Sequence, residues 1–194
     1  MLLSPLPLNH SLTLKNRIVM APMTRSMCDD NLVPTQLMLE YYARRAAAGL
    51  IVSEGIIIRP DGQGYPNVPG LFNQQQMTAW RRITDAVHAN GGLIFAQIWH
   101  AGRVSHPIYL QGALPVSPSA TTMSGPVKRG NGLRYGKARE LTKGEIRELV
   151  TSFATAAANA RAAGFDGIEF HGANGYLIDQ FLHYDTNHRQ DEYG

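Results

Sequence analysis

Four short apolar runs recur along this chain, separated by helical patterns, and this alternation constrains the fold more than any other feature. The runs are Arg17-Ile-Val-Met-Ala21, Leu50-Ile-Val-Ser53, Leu93-Ile-Phe-Ala-Gln-Ile98 and Gly167-Ile-Glu-Phe170. Each is too short for a helix, and each is apolar on both faces, as expected of strands in a buried parallel sheet. Gly49, Gly91-Gly92 and Gly164 precede three of the runs and are read as helix ends. Between the runs, Thr35 to Ala48 reads as a helix capped at Thr35. Asn73 to Ala89 opens on Asn73-x-x-Gln76 and lines up Met77, Trp80, Ile83 and Val87. Thr142-x-x-Glu145 is a stronger capping box. It starts a helix with Ile146, Leu149, Val150, Phe153, Ala157 and Ala160 inward, and a fourth helix is expected after Asn174. Strand and helix in strict alternation give an α/β fold with parallel strands.

Two α/β architectures are compatible with this order, a doubly wound open sheet and a (β/α) barrel. The first strand runs into Pro22-Met-Thr-Arg25, without the glycine-rich phosphate turn of a dinucleotide fold, and this favours the barrel. The rhythm breaks once, from Ala101 to Arg139. That stretch holds 6 Gly, 4 Pro and 4 Ser and reads as a long loop excursion after the third strand.

Composition excludes several classes. With 44% hydrophobic and 17% charged residues, the chain can bury a core and is not disordered. Its 18 basic residues against 15 acidic ones are scattered, so no nucleic-acid surface is expected. No apolar run is long enough to span a membrane, and no charged n-region precedes the opening Met1-Leu-Leu-Ser-Pro, so neither a membrane anchor nor a secretory signal is expected. The single cysteine, Cys28, lies beside Asp29 and Asp30 and reads as an inert thiol; a cytoplasmic location is expected.

Barrel active sites lie at the C-terminal ends of the strands. Those ends carry Pro22-Met23-Thr24-Arg25, Ser53-Glu54-Gly55, Gln97 with Trp99-His100, and Glu169 with His171-Gly-Ala-Asn174-Gly-Tyr176. His171 and Asn174 are two neutral donors suited to a developing oxyanion, and Tyr176 is a phenol suited to general acid catalysis. Gln97, in an apolar strand, needs a partner, either a structural group of the chain or a cofactor; its side-by-side donor and acceptor match the edge of a flavin pyrimidine or a nucleobase. Trp99 and Tyr65 are suited to wall a flat ligand. A rival reading takes His100, Glu169 and His171 as ligands of a hydrolytic zinc; no metal is expected on balance.

Together these residues resemble the old yellow enzyme family of flavin-dependent ene-reductases, especially N-ethylmaleimide reductase-like members. The matching motifs are Leu14-Lys-Asn-Arg-Ile-Val-Met-Ala-Pro-Met-Thr-Arg25, Ser53-Glu-Gly55, Gly62-Gln-Gly-Tyr-Pro-Asn67, Gln97-Ile-Trp-His-Ala-Gly-Arg103, His171-Gly-Ala-Asn-Gly-Tyr-Leu-Ile-Asp-Gln-Phe-Leu182 and Asn187-His-Arg-Gln-Asp-Glu-Tyr-Gly194. The resemblance implies a single domain over 1–194 that forms the first four βα units, the N-terminal half, of a (β/α)8 TIM barrel. It implies FMN as cofactor, NAD(P)H as reductant and activated alkenes (enones, maleimides, nitro compounds) as substrates. By residue, it implies that Pro22, Met23, Thr24, Gly55 and Gln97 contact the flavin. His171 and Asn174 would hold the substrate oxygen, Tyr176 would donate the proton, and Tyr65 and Trp99 would shape the pocket. The phosphate contacts of FMN would come from later units. The alternative is a non-catalytic half-barrel that associates with itself or with a complementary half-barrel chain through open sheet edges.

Overall fold

The computed structural model describes residues 1–194. In chain order the elements are β1 (Leu6–Pro7), β2 (Thr13–Leu14), β3 (Val19–Met20), α1 (Gln36–Ala43), β4 (Leu50–Ile57), α2 (Gln74–Ala89), β5 (Ile94–Trp99), β6 (Val116–Ser117), β7 (Arg139–Glu140), α3 (Lys143–Ala162), β8 (Gly167–Phe170) and α4 (Leu177–Leu182). The four strands expected from the apolar runs form one sheet in the order β3-β4-β5-β8, with every neighbouring pair parallel. Spatial order follows chain order with no reversal. A doubly wound sheet reverses direction at its centre, so the sheet is an arc of barrel wall.

The helices cover the outer face of this arc. Trp80, Ile83 and Val87 of α2 pack with Met38 and Tyr42 of α1, Ala156 and Ala160 of α3, and Ile51, Ile56, Ile94, Ala96 and Ile98 of the sheet. Trp80 is fully buried, with its ring 6.0 Å from that of Tyr42 and 5.1 Å from that of Phe165. On the inner face, Leu50 and Val52 pack on Leu14, with Leu6, Leu93 and Phe95 around them. The β1–β2 hairpin, which the sequence pattern did not reveal, thus closes the end of the arc away from the strand C-termini.

The central strands β4 and β5 are buried almost throughout, as expected, but β3 and β8 are not: Val19 is 49% and Phe170 is 54% exposed. These two edge strands each have a neighbour on one side only. Three helix details also differ from expectation. Helix α1 ends at Ala43 rather than Ala48, and the Thr35 hydroxyl donates to the Met27 carbonyl instead of capping. In α2, Asn73 accepts from the Gln76 N–H, but the Gln76 amide reaches Phe72 N–H and Asn31 carbonyl rather than closing a box. In α3, Val150 is exposed, and Ala156 rather than Ala157 is buried. Val150, Phe153, Phe170, Leu177, Phe181 and Tyr193 line an open apolar groove of about 660 Å³ beside β8.

Glycine chemistry explains the strand entries. Gly91 and Gly164, just past α2 and α3, adopt φ of +68° and +83°, the left-handed turn that ends a helix. Gly49 is different: it is required because the Asn16 carbonyl lies where a Cβ would sit. The Thr142 capping box forms in full, with Glu145 N–H donating to Thr142 Oγ1 at 3.2 Å and Thr142 N–H to Glu145 Oε2 at 2.8 Å. Arg139, paired with Glu145, and these cap bonds hold the carboxyl down at about 2. Thr142→Ala is therefore expected to cost about 1 kcal/mol, read as a fall in melting temperature of about 2–4 °C. No helix is long and apolar enough to cross a membrane.

Candidate active site

At the C-terminal ends of the strands lies a cleft of about 560 Å³. Its position follows from strand parity. Ile51 of β4 faces the helices, so Gly55, four residues on, should face them too. A β-bulge between Val52 and Gly55 changes the parity. Gly55 then pairs with Gln97 and lines the cleft, while Ile56 and Ile58 take over the outward face. Side chains hold the bulge. Ser53 Oγ accepts the Gln97 backbone N–H at 3.1 Å, and the Tyr42 hydroxyl accepts from Glu54 N–H at 2.9 Å while donating to its carboxylate.

Glu54 is buried beneath the first strand end and also accepts the Arg25 N–H at 3.0 Å. Burial raises its pKa, and the bonds from Arg25 and Tyr42 offset part of that rise. This carboxylate anchors the Thr24–Arg25 segment from below. Arg129, from the long excursion, holds the same segment from the side through the Thr24 carbonyl and the Ser26 hydroxyl. Gln97 forms the floor of the cleft. Its Nε2 donates one N–H to Glu169 at 2.8 Å, which orients the amide; its second N–H and its Oε1 make no bond within the chain. Gly55 lies against the Trp99 indole so closely that a Cβ would come within 3.2 Å of it.

The rim carries His171, Asn174 and Tyr176. The His171 ring lies 4.8 Å from that of Tyr176, and the Trp99 ring 5.0 Å from it, both edge to face. Burial lowers the His171 pKa against the opposing pull of Glu169 and Asp179, so the ring is a neutral N–H donor at pH 7. Burial raises the Tyr176 pKa, and the hydrogen bond to the Tyr65 hydroxyl, at 2.7 Å, acts in the same direction. Tyr176 thus keeps its proton well into the alkaline range.

The cleft brings together Pro22, Thr24, Gly55, Gln97, Trp99, His171, Asn174 and Tyr176 from the sequence-predicted set. Two members lie elsewhere. Met23 is outside the lining and 46% exposed. Tyr65 is buried behind the wall, stacked on Trp99 with ring centroids 5.7 Å apart, and reaches the cleft only through Tyr176. His100 does not converge with Glu169 and His171, so the zinc geometry fails. Its Nδ1 accepts the Gly102 N–H at 3.0 Å, and its Nε2 faces Asp61, away from the cleft. Cys28 is buried, and desolvation pushes its thiol pKa up, consistent with an inert thiol. Sequence reasoning places Ser53 and Glu54 at the second strand end but gives them no role; the structure shows them bonded to the Gln97 and Arg25 backbone. A Ser-Glu pair flanked by Leu50-Ile-Val52 and Ile56-Ile-Ile58 was the available signal.

All residues, 1–194, match the NADH:flavin oxidoreductase / NADH oxidase family. A 12-oxophytodienoate reductase of Oryza sativa is 48% identical over 93% of this chain and 47% of its own length. The solved old yellow enzyme homologue from Zymomonas mobilis superposes with a TM-score of 0.94 at 48% identity, over 100% of this chain and 54% of that one. Morphinone reductase, solved in complex with tetrahydroNAD, gives a TM-score of 0.90 at 43% identity over 55% of its chain. The chain spans about half the length of these relatives, and its parallel arc is the N-terminal half of their TIM-barrel fold. By its full-length match and by the order of its cleft residues, the chain belongs to the NADH:flavin oxidoreductase family, the family of the old yellow enzymes.

Proposed function

We propose that this chain supplies the flavin-ring and substrate residues of an FMN-dependent NAD(P)H oxidoreductase that reduces activated C=C bonds in enones, maleimides and nitro compounds. One observation carries the reading: a half-satisfied carboxamide, Gln97, forms the floor of the same cleft whose rim holds His171, Asn174 and Tyr176. The residues fit a flat ring. Gly55, packed against the Trp99 indole, adds no side chain to the cleft wall, and the free donor and acceptor of Gln97 match a pyrimidine edge. Pro22 and Thr24 line the cleft from the first strand end. FMN bound there supplies the two-electron reduction of the double bond, with NAD(P)H as the source of the electrons.

The chain's own residues polarise and protonate. The neutral His171 ring and the Asn174 amide donate hydrogen bonds to the carbonyl or nitro oxygen, and these strengthen as negative charge develops on it. Tyr176 gives its proton to the α-carbon, completing the addition of two hydrogens across the double bond. Trp99 confines the substrate against the cleft floor.

The test is the visible absorption spectrum of the protein titrated with FMN. A saturable shift of the flavin bands is expected, and Gln97→Leu should weaken binding by about tenfold, through loss of the donor and acceptor at one ring edge. Protein that leaves the FMN spectrum unchanged, also when the C-terminal half of a family member is added, overturns the reading.

A second reading, a self-associating or interaction module, is favoured by the unpaired edges of β3 and β8 and by the apolar groove along α3 and α4. It predicts a dimer, or a complex with a complementary half-barrel, by light scattering. A monodisperse monomer that binds no hydrophobic dye counts against it.

A further inference from the structure

Asn174 and Gly175 both adopt left-handed conformations, with φ of +61° and +76°. For Asn174 this is a strained state, and strain of this kind persists only where surrounding contacts over-determine it. The contacts come from the next helix. Asp179 Oδ2 accepts the Gly175 N–H at 2.7 Å. Gln180, at 1% exposure, spreads its amide over two segments at once. Its Nε2 donates to the Gly175 carbonyl at 2.6 Å and to the Ala101 carbonyl at 3.1 Å, while its Oε1 accepts the Arg103 N–H at 3.1 Å. Gly102, with φ of +57°, is held between them, where a Cβ would collide with the same amide. One buried side chain therefore ties the turn after β5, just beyond Trp99, to the turn that presents Asn174 and Tyr176. Gln180 itself does not line the cleft.

We propose that Gln180 is a positioning residue, which clamps the Asn174–Gly175 turn so that the Asn174 amide and the Tyr176 phenol stand over the cleft floor. The role deepens the reading given under Proposed function and rests on it for its catalytic meaning, but the clamp itself is a property of this chain. It makes a chemical distinction. Leucine keeps the shape of Gln180 and loses all three bonds. Glutamate keeps the acceptor for Arg103 but has no N–H for the Gly175 carbonyl.

The experiment compares Gln180→Leu, Gln180→Glu and the remote cap variant Thr142→Ala by site-resolved amide exchange and by ligand titration. In Gln180→Leu, exchange at Arg103 and Tyr176 should rise by roughly a hundredfold, while the amides of β4 and α2 keep their rates. In Gln180→Glu, Arg103 should stay protected and Tyr176 should not. Thr142→Ala should leave both sites unchanged. In FMN-loaded protein, Gln180→Leu should weaken binding of 4-nitrophenolate, a planar oxyanion probe for the His171–Asn174 pair, by about tenfold, with FMN affinity unaltered. Exchange that rises uniformly along the chain, or phenolate and FMN affinity falling together, overturns the proposal. If the Gln180 variants show the exchange pattern while FMN-loaded wild-type protein binds no phenolate, the clamp is supported and the ene-reductase reading is what fails.

Discussion

Tyr176→Phe should slow alkene reduction by about 10²–10⁴-fold, the usual contribution of a positioned general acid, and leave reduction of FMN by NAD(P)H unchanged. The substitution removes one oxygen and keeps the ring that packs edge to face on Trp99 and His171. The rate loss is therefore chemical, while the buried Tyr65 hydroxyl, left without its partner, adds a separate stability cost. Stopped-flow measurement of the two half-reactions separates them; an equal slowing of both would show that Tyr176 is not the proton donor. The pH profile gives an independent check. An exposed tyrosine ionises near pH 10, but burial and the Tyr65 hydroxyl raise the pKa of Tyr176, so the protonation step should show no alkaline limb through pH 10. On the acid side, burial lowers the His171 pKa below its ordinary 6.5. The neutral donor therefore persists as the pH falls through 6.5, and any acid limb from this ring must lie lower still. A limb at 6.5 would place a hydrated, unperturbed histidine at the rim.

The largest stability effect is expected at Trp80. Trp80→Ala should cost about 3–5 kcal/mol, the range for deleting a buried aromatic. That is a large part of the total margin of an ordinary domain, about 5–15 kcal/mol. Trp80 has no exposed surface, contacts Tyr42 and Phe165, and donates its indole N–H to the Gly70 carbonyl at 3.2 Å. The alanine therefore leaves a cavity at the junction of α1, α2 and α3 and orphans a buried carbonyl. Chemical denaturation measures the loss. A change below 1 kcal/mol would mean that the helices do not pack on the arc as described. Val150, apolar but exposed on α3, gives the contrast: its truncation should stay within about 0.5 kcal/mol.

Much of the fold was legible because its signals are local. Apolar runs of four to six residues, the Thr142–Glu145 box and the helix-ending Gly91 and Gly164 act through their own neighbours, and each lies where its residue type directs it. The candidate site was legible in part for the same reason. Parallel strands collect their C-terminal ends on one side, so His171, Asn174, Tyr176, Gln97 and Thr24 had to converge once the strands did. The departures lie where a side chain's surroundings are set outside its own helix or strand. Thr35 is a good cap by type but finds Met27, and Tyr65 is a good wall residue by type but is turned onto Trp99 and Tyr176. Val150 has the spacing of a core residue, but it lies on the face of α3 that looks onto the open groove.

By itself the sequence determined the alternating α/β order, the parallel strands and the chemistry available at their C-terminal ends, because periodicity and residue type act over a few neighbours. Only the tertiary structure decided that the strands run in unbroken order β3-β4-β5-β8. It also decided that a bulge turns Gly55 toward the cleft, that Glu169 takes one N–H of Gln97, and that Gln180 joins two turns. Each of these depends on hydrogen bonds between groups tens of residues apart. One residue of strand register reverses every side chain that follows, and no local pattern carries that information.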